Sequence, residues 1–207
     1  MGAPLLRRGL AFWGILLLMR TIPERSTRRP LLGAVSSFAC YYGPGALARL
    51  ADYDVAILQV AHYTPQALAT LRAAGVRVAA YLSVGEVTAI EAESAGEAWL
   101  LRDPAQGTPV VNPRWGTLLV DCRSAAWQAY LIEVRIPALL GRGAEGLFLD
   151  TVDVPEAYPE VRSGLEALLT RLRARFPERP LLINRGFSIL NTALTVADGF
   201  VFEAFTT

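Results

Sequence analysis

The sequence predicts an α/β fold, a (β/α)8 TIM-type barrel truncated after the seventh strand. Three observations predict it. Short apolar runs alternate with helical segments along residues 34–205, and runs apolar on both faces belong to covered parallel sheets. No glycine-rich phosphate turn follows the first run, so the dinucleotide-binding form of an open, doubly wound sheet lacks its fingerprint. Acids and an amide stand at or just after the C-terminal ends of the runs: Glu86, Asp121, Asp150, Asn184 and Glu203. In a barrel those ends converge on one mouth, where active sites are built. In an open sheet they would be spread along an edge.

The elements follow in order. "AVSSFACYYG" (34–43) and "DVAILQV" (54–60) read as strands. "TPQALATLRAAG" (64–75) reads as a helix, with Thr64 as N-cap, Pro65 at the first helical position and Gly75 past the end. "VRVAAYLS" (76–83) is a third strand. A long loop with a short helix near 94–101 leads to "TLLVD" (117–121). Ser124 caps a helix to about Leu140, and "GLFLD" (146–150) is the next strand. A helix from about Val161 to Arg175, the strand "PLLIN" (180–184), a short helix and "GFVFEAF" (199–205) complete the pattern. A full barrel takes about 250 residues. This chain of 207 leaves 177 after its first 30, so the eighth strand and last helices are expected to be missing.

Composition excludes several chemistries. There is no lysine, which removes Schiff-base catalysis, a phosphate-loop lysine and a lysine general base. The single histidine, His62, cannot make a His-rich metal site. Cys40 and Cys122 have no CxxC spacing. They fall on the first and fourth expected strands, which are not barrel neighbours, so no disulfide is expected between them. Residues 1–30 carry six arginines and one glutamate, leaving 14 arginines and 18 acids, a net of −4, in the body. A body without a basic stripe argues against a nucleic-acid partner.

The N-terminus has a basic start, Arg7 and Arg8, and an apolar run from Gly9 to Met19. Eleven residues are short for a bilayer span but match the core of an export signal. The expectation is an exported or membrane-tethered chain. Residues 1–32 form the signal or anchor segment plus a linker, and 33–207 form the barrel domain. The run lacks a periodic polar face, so it is expected to be a helix that does not pack on the barrel. Any membrane contact runs through this segment alone.

Two carboxylates across one mouth are what glycoside hydrolysis requires, one protonating the leaving oxygen and the other acting as nucleophile or activating water. Asp150 and Glu203 are the best pair, each placed directly after apolar strand residues. The bland reading of Asp150 is a loop cap. Glu203 is harder to explain structurally, because "FVFEAF" flanks it with aromatics. Asp153 is balanced between substrate contact and turn former. Glu86 faces substrate or is simply exposed. Asp121 contacts substrate or holds a neighbouring arginine. Asn184 and Arg185 are placed to donate to sugar hydroxyls, unless Arg185 pairs with an acid in the mouth. Tyr41, Tyr42, Tyr81 and Trp115 are sugar-stacking candidates set against the commoner role of core aromatics. His62 reads as a polar contact rather than a catalyst.

Five stretches, "YYGPG", "HYTPQALATLRAAGVRVAAYLSVGE", "GLFLDTVD", "LLINRGFSIL" and "DGFVFEAFTT", together resemble the endo-α-1,4-polygalactosaminidase-like glycoside hydrolases (family 114-like) in order and spacing. The nearest likeness is to the hydrolase domain of Pel-type exopolysaccharide systems, and it runs from about residue 38 to 207. The resemblance implies a (β/α)8 barrel, an exported setting and cleavage of a galactosaminide-rich polysaccharide by strand-end acids. The family's strand-end Asp falls on Asp150 and its late Glu on Glu203. Its early strand often carries an acid where this chain has Gln59.

The reading from the residues keeps two alternatives. One is a non-catalytic carbohydrate-binding barrel or inactive fragment, favoured by the missing eighth strand. The other is a carboxylate-bound magnesium enzyme using Asp121, Asp150 and Glu203. It ranks last because the enolase-type versions use a Lys or His base, lysine is absent and nothing singles out His62 for that role. No cofactor or metal is expected.

Overall fold

The computed structural model describes residues 18–19, 35–95 and 97–202. In chain order its elements are β1 (Leu18–Met19), β2 (Phe38–Tyr41), α1 (Leu47–Leu50), β3 (Val55–Leu58), α2 (Pro65–Ala73), β4 (Arg77–Ser83), β5 (Glu86–Val87) and α3 (Ala89–Ala95). Then come β6 (Val111–Asn112), β7 (Thr117–Leu119), α4 (Ala125–Tyr130), α5 (Ile136–Gly141), β8 (Gly146–Asp150), α6 (Val154–Ala157), α7 (Arg162–Arg175), β9 (Leu181–Asn184), α8 (Leu190–Val196) and β10 (Gly199–Val201).

The main sheet runs β1-β10-β9-β8-β4-β3-β2. Six of these strands, β2, β3, β4, β8, β9 and β10, are parallel and stand in the order of the sequence. A doubly wound open sheet reverses its strand order at a switch point; this one never reverses, which is how a barrel winds. The two faces pack differently. The large core joins the outward side chains of the strands to the helices, through residues such as Leu58, Leu68, Leu82, Leu149, Leu165 and Leu169. The alternate strand residues Val55, Ile57, Ala79, Phe148, Leu182 and Val201 form a second, smaller cluster, with Phe38, Cys40 and Tyr81 at its margin. That inner cluster is the barrel interior, and the sheet is a curled part of a (β/α)8 barrel.

One expected barrel strand is not in this sheet. Residues 117–121 contribute β7, the middle strand of a separate antiparallel sheet, β5-β7-β6, and β4 pairs directly with β8. The parallel strands described are therefore six, and Asp121 does not end a barrel strand. The physical reason lies in the turn. Gly116 takes φ +67°, a left-handed conformation that glycine adopts freely, and it lets Val111–Asn112 fold back on Thr117–Leu118. The run "VVNPRWGTLLV" carried that hairpin signal in its Asn-Pro and Gly.

Local chemistry fixes the helices. Thr64 Oγ1 accepts from Ala67 N (3.2 Å) and Pro65 opens α2, as expected. Ser124 Oγ accepts from Trp127 N (3.3 Å) to start α4. α4 continues to α5 through a wide π-type turn at Leu131–Arg135, just before Pro137, whose missing N–H cannot serve the preceding turn. The short helix expected near 94–101 starts earlier, at Ala89. Thr88 and Glu91 form a reciprocal cap there, Glu91 N donating to Thr88 Oγ1 (3.2 Å) and Thr88 N to Glu91 Oε2 (3.1 Å).

At the N-terminus, the helix expected over residues 9–19 is corrected where it is described. Leu18 and Met19 pair antiparallel with Phe200 and Gly199, where the outer edge of β10 offers backbone groups to an extended segment. Residues 9–17 lie outside the described residues. Among the described residues no helix is long and apolar enough to cross a membrane. Cys40 and Cys122 are not joined by a disulfide. Cys122 follows β7, and burial pushes its thiol up to about 12.

Candidate functional site

Register brings the site together. Ser83 on β4 lies opposite Asp150 on β8, and Asn184 ends the neighbouring strand β9, beside Val201 of β10. Asp150 is the last residue of β8, two positions beyond Phe148 of the inner cluster. With strand alternation, its carboxylate shares the inner side of the sheet with Tyr81 and Asn184.

Both carboxylate oxygens are taken. Tyr81 Oη donates to Asp150 Oδ2 at 2.7 Å, and Asn184 Nδ2 donates to Asp150 Oδ1 at 2.8 Å. Two donors on two oxygens is the pattern an ionised carboxylate accepts. Tyr42 stands edge-on to Tyr81, ring centres 4.9 Å apart, and is itself exposed.

The backbone behind Asp150 is held by a lock that sequence reasoning missed. Thr151 has φ +59°, strained for a β-branched residue. Its Oγ1 accepts from Gly85 N (2.8 Å), lies 2.8 Å from Ser83 Oγ and donates to the carbonyl of Asp150 (2.6 Å). Val84 N donates to that same carbonyl at 3.1 Å. Gly85 packs so closely that an added Cβ would stand 2.5 Å from Thr151 O. Trp127 Nε1 pins the loop from behind by donating to Val84 O (3.0 Å). Arg185, the residue after Asn184, is also left-handed at φ +60°, and its N–H donates to Val201 O at 2.8 Å. Backbone strain thus sits one residue past both inward-facing polar side chains.

The other expected site residues divide by their contacts. Arg185 is paired with Asp153 at 3.0 Å, so each has an ionic partner in the mouth. Asp121 binds Arg123 through both oxygens, 2.8 and 3.0 Å. Burial raises its carboxyl, but hydrogen bonds from Arg123 prevail and hold it below the usual value. Glu86 accepts from Asn112 Nδ2 (2.7 Å) and Thr117 Oγ1 (2.6 Å), tying β5 to the hairpin. Trp115 is 69% exposed at the hairpin turn, with the Arg114 guanidinium 5.2 Å from its ring centre. Tyr41 Oη donates to Pro44 O at 3.0 Å. His62 is exposed on a short turn after β3. Glu203 lies outside the described residues.

Two further residues gave no signal in the sequence. Tyr63 Oη is within 3.0 and 2.9 Å of the carbonyls of Gly43 and Gly45; it holds the loop after Tyr42, and burial pushes its phenol up to about 12. Phe187, in the turn after β9, is 55% exposed and stacks on Phe202 with ring centres 5.3 Å apart. Among the described residues no three His, Cys, Asp or Glu side chains form a metal-binding group.

A curled part of a parallel barrel with a tethered carboxylate at a strand end is an arrangement that TIM-barrel glycoside hydrolases use. The model of the glycoside-hydrolase family GH114 matches residues 23–207, and the chain belongs to that family. Its structure is similar to the glycoside hydrolase domain of PelA from Pseudomonas aeruginosa, with 32% identity and a TM-score of 0.66, covering 79% of this chain and 65% of that one. The chain thus spans just under two thirds of that domain. Ega3 from Aspergillus fumigatus, solved in complex with galactosamine, is 15% identical with a TM-score of 0.65, covering 84% of this chain and 69% of that one. TtGalA, an alpha-galactosidase from Thermus thermophilus, is 20% identical with a TM-score of 0.61, covering 84% of this chain and 44% of that one. These last two likenesses concern the fold alone. No curated protein matches the chain.

Proposed function

We propose that this chain is a glycosidase acting on galactosamine-containing polysaccharide, with Asp150 as the ionised carboxylate of the reaction and Glu203 as the acid. The observation that carries this reading is the double clamp on Asp150, one donor from Tyr81 and one from Asn184. A carboxylate so held is oriented to attack a sugar carbon or to take a proton from water. The general acid must then be a second group. Glu203 is proposed for it because it stands two positions beyond Val201, a residue of the inner cluster.

In this mechanism Glu203 protonates the leaving oxygen as the glycosidic bond breaks. Asp150 either bonds to the sugar carbon or deprotonates the attacking water. The galactosamine preference is carried over from the resemblance to the endo-α-1,4-polygalactosaminidase-like hydrolases and from membership of the GH114 family.

The test is hydrolysis of a galactosamine polymer by the wild-type chain and by Asp150→Asn and Glu203→Gln. Each variant is expected to keep its fold and lose about 10²–10⁴-fold in rate. Near-normal hydrolysis by either variant removes that residue from the mechanism. The anomeric form of the first product, read by NMR, tells nucleophile from base. Export or tethering through the basic and apolar N-terminal segment is part of the same proposal. Recovery of the expressed chain only from the cytoplasmic fraction would refute that part.

A further inference from the structure

Asn184 has a second polar atom, and nothing among the described residues uses it. The side chain is 6% exposed. Its Oδ1 is buried without a hydrogen-bond partner among the described residues. The amide cannot be turned around to mend this. Asp150 offers only acceptor oxygens, so the NH2 group must face it, at 2.8 Å. The neighbour in register on β10 is Val201, which offers an apolar side chain. Buried acceptors are rarely left unmade, because the desolvation penalty is then uncompensated.

We propose that Asn184 Oδ1 accepts a hydrogen bond from the hydroxyl or ammonium group on C2 of the sugar that reacts with Asp150. The inference rests on the reading of Asp150 as the reacting carboxylate. Nδ2 and Oδ1 share one planar amide carbon, so with Nδ2 on the carboxylate, Oδ1 lies one amide's width from the oxygen that Nδ2 holds. The anomeric carbon has two ring neighbours. One is the ring oxygen, which can only accept. The other is C2, whose hydroxyl or ammonium can donate. Only the second matches a bare carbonyl. Contacts at C2 strengthen as positive charge develops on the sugar, so the bond also bears on rate. Asn184 thereby couples two tasks: its amide nitrogen orients Asp150, and its amide oxygen reads the sugar.

The test compares one pair of sugars across one pair of proteins. Nitrophenyl α-galactosaminide and its 2-deoxy counterpart are given to the wild-type chain and to Asn184→Ala, and kcat/KM is measured for each. Any loss of Asp150 positioning slows both sugars alike and cancels in the ratio. The expected result is that preference for the sugar bearing a C2 donor falls at least about tenfold in the variant, equivalent to about 1.4 kcal/mol. An unchanged ratio overturns the inference, leaves Asn184 as a positioning residue alone, and leaves the glycosidase reading intact. Calorimetric binding of galactosamine and 2-deoxygalactose to the wild-type chain gives a readout independent of turnover and of the variant's folding; equal affinities there also overturn it. A wild-type chain that neither hydrolyses nor binds either sugar overturns both readings.

Discussion

Gly85→Ala tests the lock behind Asp150. An added Cβ would stand 2.5 Å from Thr151 O, 2.6 Å from Val154 Cγ2 and 3.2 Å from Thr151 Oγ1. The first contact is with backbone, so the loop must retreat by roughly 0.9 Å to reach ordinary contact at 3.4 Å. Val84 N is already 3.1 Å from Asp150 O, and such a retreat takes that bond past hydrogen-bonding range. Overpacking costs about 1–3 kcal/mol and one backbone hydrogen bond about 1 kcal/mol, so about 2–4 kcal/mol is expected. With a urea slope of about 2 kcal/mol per molar, the midpoint falls by about 1–2 M. The assay is urea unfolding followed by tryptophan fluorescence, with Trp99 and Trp127 as buried reporters. Gly141→Ala is the control, since an added Cβ there meets nothing within 4 Å. Its midpoint is expected to stay or rise slightly. A Gly85→Ala midpoint within about 0.3 M of wild type, well inside the expected 1–2 M shift, refutes the close approach and with it the lock.

Three other outcomes are expected. Tyr81→Phe removes one donor from Asp150 (2.7 Å) and is predicted to lower kcat about tenfold or more, since hydrogen bonds to charged groups are worth about 1.5–3 kcal/mol; an unchanged kcat makes Tyr81 a core aromatic only. Arg173 is 8% exposed, bonded to Asp198 at 2.6 Å and to the carbonyls of Val196, Pro177 and Arg179. Arg173→Met should destabilise the chain by about 3–5 kcal/mol, read from the same urea curves, and a loss under about 1 kcal/mol, a surface-pair value, would contradict this. Asp54 Oδ2 accepts from the backbone N–H and hydroxyl groups of Ser36 and Ser37, which lower its pKa from 3.8 to about 2, the Ser36 N–H most of all. A depressed carboxylate stabilises fully above its unfolded value and loses that contribution as pH falls through the folded one. The stability gap between wild type and Asp54→Asn should therefore be constant above about pH 4 and close toward pH 2; a gap that persists at pH 2 would show that the hydrogen bonds do not depend on the charge.

The sequence by itself determined the elements whose signals are local. Thr64, Pro65 and Gly75 bounded α2 within a residue or two of its ends, because capping satisfies backbone groups in the same turn. The run "GLFLD" placed Asp150 at the end of a buried strand, because four apolar residues bounded by an acid have few other uses. The absence of lysine settled which chemistries were closed. Tertiary structure decided the rest. "TLLVD" carried the apolarity of a barrel strand, and only pairing showed it to be a hairpin arm, since burial on both faces looks the same from either sheet. Tyr81 read as a sugar-stacking candidate or a core aromatic, and only the tertiary structure puts its hydroxyl on Asp150, 69 residues away in the chain. Thr151, Gly85 and Ser83 carried no sequence mark of a lock, because its parts are ordinary residues made special by a close approach between two strand ends. The identity of the carboxylate was thus written in one strand, but what holds it was written across three, and hydrogen bonds between strands depend on register that no single stretch of sequence contains.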